Sequence, residues 1–194
     1  TDVMYCIFLG RAIQSTVPNT NSITPAMLGT TAVTTLTAGT GITAGTGTIY
    51  RADVQKLGNI FHTRILIDLT GLASSGSGDI IGKAATANSH IGQITAAVNG
   101  TVLSGKLTCM EAPAGGDPDI NLWYADEATG TEDAAITGLT NQVQMCDSGD
   151  LALGSVISIP TPPAADKYMY MVTGAATDAN YTAGKILIEF FGYV

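Results

Sequence analysis

Two histidines, three cysteines and sixteen carboxylates are the side chains from which this 194-residue sequence would have to assemble a catalytic or metal centre. His62 alternates with Arg64 and Asp68 in "HTRILID", which reads as a polar patch on one strand face. His90 precedes a run of strand formers and reads as a loop residue. Neither histidine stands in the context of a nucleophile–base pair, and the strand–turn–helix word G-x-S-x-G is absent. Two isolated histidines also fall short of the three protein ligands of a catalytic zinc. Cys6, Cys109 and Cys146 are widely spaced and lack a C-x-x-C pair, so they read as buried reduced thiols acting as small hydrophobes.

Carboxylates cluster at Asp117 and Asp119 in "GGDPDI", and at Asp126, Glu127, Glu132 and Asp133 around "ATGT". Oxygen-rich loops can hold calcium, but the D-x-[DN]-x-[DN]-G spacing is missing, and turn-forming acids are the simpler reading. "SGDIIGKA" (77–84) approaches the phosphate-binding pattern G-x-x-x-x-G-K-[ST]. It has Ser77 in place of the first glycine and Ala84 in place of the magnesium-binding hydroxyl. The repeat in "TAGTGITAGTGTIY" (37–50) carries no lysine. It reads as a flat, extended strip whose small residues allow close backbone approach. No cofactor, metal or catalytic residue is therefore expected.

The elements around these residues read as strands. In "NIFHTRILIDLTG" Phe61, Thr63, Ile65, Ile67 and Leu69 share one face, and Ile60, His62, Arg64, Leu66 and Asp68 the other. Asn99-Gly100 between two strand-like runs predicts a hairpin turn. "DINLWYAD", "GSVISIP", "KYMYMVTG" and "GKILIEFFGYV" are further strands, with Trp123 in mid-strand and Ile186, Ile188 and Phe190 on one face of the last. "SITPAMLG" carries a short helix signal between Thr24 and Gly29. These signals predict an all-β fold, an antiparallel sandwich or barrel of jelly-roll type with little helix. Residues 1–50 form an extended Thr/Gly-rich arm in this reading, and residues 51–194 the sandwich domain.

Only 12% of residues are charged, mean hydropathy is +0.27, and the formal net charge is −8 with a pI near 4.4. No basic cluster exists, which argues against nucleic acid as a partner. The longest apolar runs are shorter than the roughly 18–20 residues of a membrane helix, and no secretory signal pattern opens the chain. Manufacture in a cytoplasm is expected, and the apolar surplus calls for a protein partner.

The words "HTRILIDLTGLASSGSGDIIG", "HIGQITAAVNGT", "EAPAGGDPDINLW" and "GAATDANYTAGKILIEFFGY" resemble virion structural proteins of tailed bacteriophages, marine ones especially. The likeness runs from about Thr48 to Val194. It implies a capsid decoration (cement) protein on the outside of a virion head, bound to the major capsid protein and to itself, as a homotrimer. The arm would lash neighbouring subunits through Tyr5, Ile7, Phe8, Ile42 and Ile49. Deleting residues 1–45 would then leave a folded domain that no longer binds shells. Alternatives are a head-fibre or tail module that recognises a host-surface glycan or receptor and, behind it, a β-fold hydrolase.

Overall fold

The computed structural model describes residues 33–194. In chain order the elements begin with β1 (Val33–Thr34), α1 (Thr40–Thr43), β2 (Ile49–Leu57), β3 (Ile60–Asp68), β4 (Ala73–Ser74) and β5 (Gly92–Ile94). There follow α2 (Ala96–Asn99), β6 (Thr101–Ala114), β7 (Ile120–Ala125), β8 (Val143–Cys146) and β9 (Val156–Ser158). The last are β10 (Lys167–Thr173), β11 (Ala179–Asn180) and β12 (Ala183–Tyr193). One sheet has the order β1-β2-β3-β12-β6-β9, a second β5-β10-β7-β8, and β4 pairs with β11 alone. Every strand pair is antiparallel. The two larger sheets share no strand, so the architecture is an all-β sandwich.

Strand periodicity supplies the core. Phe61, Thr63, Ile65 and Ile67 of β3 and Ile186, Ile188 and Phe190 of β12 are buried in alternation. They meet Leu122, Met145, Met169 and Met171 from the second sheet. Each such side chain removed from water contributes about 1.5–3 kcal/mol, which makes this layer the main source of stability. A second, smaller cluster lies on the back of the second sheet. There Tyr170 and Val172 of β10 and Ala125 of β7 are roofed by Ile80 and Ile136 from loops, with Trp123 packed alongside. Trp123 thus joins an apolar cluster, although it is only half-buried.

The arm boundary at residue 50 needs correction. It falls inside β2, and the segment before it is built into the domain: Leu36 and Ile42 are buried in the main core. The amide of Gly39 donates to His90 O at 2.7 Å and that of Gly41 to Asn88 O at 3.1 Å. A cut at residue 45 would remove part of the core, so it cannot leave the intact domain. The glycine repeat is not extended either, because Thr40–Thr43 closes a single helical turn. The close approach is present all the same: a Cβ on Gly39 would lie 1.9 Å from Asn88 O. Residues 1–32, which include the expected helix of 24–29 and the cysteine at position 6, lie outside the described residues.

Asn99-Gly100 is not a hairpin. The strands on its two sides belong to different sheets, and the dipeptide ends α2. Thr95 caps that turn, its Oγ accepting from the Val98 amide at 3.3 Å. The buried Asn99 side chain accepts from Thr95 N at 2.9 Å and donates to Thr63 Oγ at 2.9 Å. The two-residue hairpin lies earlier, at Gly58-Asn59 between Leu57 and Ile60. Gly58 has φ +60°, and Asn59 is not among the positive-φ residues, which is the pattern of a type II′ turn.

Candidate interaction surface

The two sheets differ in what covers their backs. Loops seal the second sheet, whereas among the described residues none covers the outer face of the first. Its register arranges the outward residues in rows that cross β2, β3, β12 and β6. The central row is Asp53, Arg64, Glu189 and Lys106, with charges of alternating sign directly opposite one another. Arg64 donates to Asp53 through Nε at 3.1 Å and Nη2 at 2.5 Å. Glu189 accepts from His62 Nε2 at 3.0 Å and from Lys106 Nζ at 2.9 Å. Burial pushes the Glu189 carboxyl up, but the hydrogen bonds from Lys106 and His62 outweigh it and hold the group below its ordinary value.

On one side of the charged row, Arg51, Leu66, Leu187 and Thr108 lie in line, followed by Val156 of β9. Beyond them Ile49, Asp68, Lys185 and Glu111 close that end, with Lys185 paired to both acids. Towards the β2–β3 hairpin the face turns apolar. Phe191 stacks on the His62 ring, with centroids 4.6 Å apart and planes 13° from parallel. The final row is Leu57, Ile60 and Tyr193, exposed by 73%, 51% and 53%. A groove lined by Gln55, Lys56, Leu57, Ile60, His62 and Phe191 runs across this end.

Four cations (Arg51, Arg64, Lys106, Lys185) and four acids (Asp53, Asp68, Glu111, Glu189) occupy the open face, so its formal charge is zero. The remaining twelve acids and four cations of the sequence carry the whole net charge of −8. Neutral, partly apolar and left open by the other described residues, this face is suited to meeting another protein surface.

The other candidates are bonded within the fold. Asp117 is buried, its carboxylate accepting from Asp119 N at 2.9 Å and Thr177 N at 3.2 Å, while its carbonyl accepts from the Tyr181 hydroxyl at 2.7 Å. Asp126 binds Lys167 and Asn141, Glu127 accepts from Thr140 N, and Glu132 accepts from Ala85 N at 2.7 Å. Among the described residues no three or more His, Cys, Asp or Glu side chains are grouped to hold a metal ion. His90 lies edge-on to Tyr168 and Tyr170, and burial lowers its pKa. It is part of the Gly39 contact, and no sheet register joins it to His62. Cys109 and Cys146 are buried thiols, and burial pushes Cys146 up to about 11, which leaves it protonated and inert at neutral pH.

Of the expected contact residues, Ile49 is exposed on the open face, whereas Ile42 is fully buried in its own domain and has no surface to offer a partner. Tyr5, Ile7 and Phe8 lie outside the described residues. The cross-strand rows depend on the pairing of β2 with β3, a contact that the alternation within β3 alone does not specify. The Gly-Asn between alternating runs was the available signal. Comparison of the chain with family models, curated proteins and solved structures returned no match.

Proposed function

We propose that this protein is a structural component of a tailed-phage virion, a decoration protein that docks on the major capsid protein and on copies of itself through the open face of its six-stranded sheet. The observation that carries this reading is the asymmetry of the sandwich. One outer face is sealed by loops, while the other is open, charge-balanced and apolar at one end. Such a face buries apolar area without stranding an unpaired charge, which is what a permanent docking surface requires. The reading assigns the protein no reaction: its buried acids and thiols hold turns and fill the core. A homotrimer on a shell would close the face by symmetry.

Two measurements test the proposal. Quantitative mass spectrometry of purified virions should find hundreds of copies per particle. A dozen or fewer would place the protein at a tail or vertex instead, and none would remove it from the virion. In co-sedimentation with undecorated shells, the paired variant Val156→Glu/Phe191→Glu should fold normally yet bind at least about tenfold more weakly, since both positions are exposed on this face. Unchanged shell binding by that variant would exclude the face as the docking surface.

A further inference from the structure

The outward rows of the six-stranded sheet have a symmetry that a single chain does not use. Across β2, β3, β12 and β6 the middle row reads Asp53, Arg64, Glu189, Lys106, so its signs run minus, plus, minus, plus. A twofold axis lying in the face, parallel to the strands and between β3 and β12, sets this row on its own complement. The turn places β3 over β12 of a second copy and β2 over its β6. Arg64 then faces Glu189 of the second copy, and Asp53 faces its Lys106. The neighbouring rows obey the same rule: Asp68 faces Lys185, Leu66 faces Leu187, and Ile60 faces Tyr193. No charge in these rows meets one of its own sign. Other axes do worse. One running across the strands along the middle row would set Asp53 on Asp53 and Glu189 on Glu189, and one centred on β3 would set Arg64 on Arg64. Like charges held face to face cost several kcal/mol.

Resting on the docking role proposed for this face, we infer that its partner in the free protein is a second copy of the same chain, packed face to face about that twofold axis. Such a contact is isologous and closes at two. Stacked sheets keep their strands within about 30° of each other, which this axis allows. Four strands about 4.8 Å apart, nine residues long at about 3.4 Å each, give a face of roughly 19 by 30 Å. A dimer then covers about 1,100 Å² in all, above the ~1,000 Å² expected of a specific contact. The apolar pairs supply the affinity: Ile60 and Tyr193, about half exposed in the chain, meet twice, and Leu66 meets Leu187 beside the axis. The charged row sets the orientation. Its ions are already paired within each chain, and complementary charges fix register more than they add affinity. Lys56, at the apolar end, lies 4.8 Å from the centre of the Phe61 ring of its own chain.

Sedimentation velocity of the full-length chain at about 150 mM salt should show a monomer–dimer equilibrium. Asp53→Lys and Lys106→Glu are the diagnostic variants, because both side chains are partly exposed and stand at the two ends of the middle row. In either variant alone, two pairs of like charge face each other across the axis, and self-association should fall at least about tenfold. Asp53→Lys also makes the body less negative, so a loss there cannot come from general repulsion. Mixed one to one, the two variants should recover wild-type affinity, since position 53 of each then faces position 106 of the other with opposite sign. A zero-length carbodiimide supplies a readout without substitution. It should couple Lys106 to Asp53 between isotopically labelled and unlabelled wild-type chains, as read by peptide mass spectrometry. Within one chain the two residues stand three strand spacings apart, about 14 Å, beyond the combined reach of their side chains. A chain that stays monomeric at about 100 μM would overturn the inference. So would a mixture no tighter than its components, or absence of that cross-link. Trimers without a dimer would overturn it and leave the virion reading intact, whereas absence from virions would leave the dimer standing.

Discussion

Asp117 and Asp119 sit two residues apart in one turn and have opposite circumstances. Asp117 has hydrogen-bond partners for both carboxylate oxygens, whereas Asp119 Oδ1 is buried without one. Burial first, then the neighbouring Asp147, Asp117 and Asp150, raise the Asp119 pKa above its ordinary value. A carboxyl whose pKa is raised on folding opposes folding wherever it is ionised. The penalty is complete above the folded pKa and fades as pH falls through it to the ordinary aspartate value. Asp119→Asn should therefore stabilise the protein at pH 7 by on the order of 1 kcal/mol. Thermal melts at a series of pH values should show the gain disappearing below about pH 4. A gain that persisted in acid would mean that the amide supplies a new hydrogen bond rather than relieving charge. The sequence showed that both residues make a turn. It could not show which oxygen would be stranded, because that depends on Thr177, 58 positions beyond Asp119.

At the level of elements, glycine serves two separate purposes here, and substitution distinguishes them. Gly39 has ordinary backbone angles, but a Cβ there would lie 1.9 Å from Asn88 O and 2.8 Å from the His90 ring. Gly58 has open space around it and a φ of +60°. Gly39→Ala should cost about 2–4 kcal/mol, because the segment carrying Leu36 and Ile42 must shift off the core. Gly58→Ala should cost less, about 1–2 kcal/mol, the strain of an L-residue at the positive φ of a type II′ turn. Urea unfolding of the two variants measures the difference, and equal losses would contradict the steric account of Gly39. The alternating strands of 60–68 and 183–193 were legible because burial on one face imposes a period of two on the sequence itself. Turn placement was less legible. Gly58-Asn59 and Asn99-Gly100 are similar as words. Which one joins paired strands depends on which sheet receives the following strand, and that is decided by contacts distant in sequence.

For the whole molecule, the deciding feature is the separation of charge: a neutral open face on a body that carries −8. Between two copies the body repels, over about 30 Å at 10 mM salt and about 8 Å at 150 mM, while the exposed ion pairs of the face contribute little. Self-association measured by sedimentation velocity should therefore strengthen as salt is raised across that range. Weakening would show that charge attraction, not apolar contact, drives it. The alternating row of Asp53, Arg64, Glu189 and Lys106 has a further consequence for encounter. Opposite charges one strand apart cancel within a few ångströms, so an approaching acidic protein meets less repulsion here than from the net-negative remainder of the molecule. The row serves less as glue than as a gap in a fence: it leaves the approach unhindered in the single orientation where contact can last.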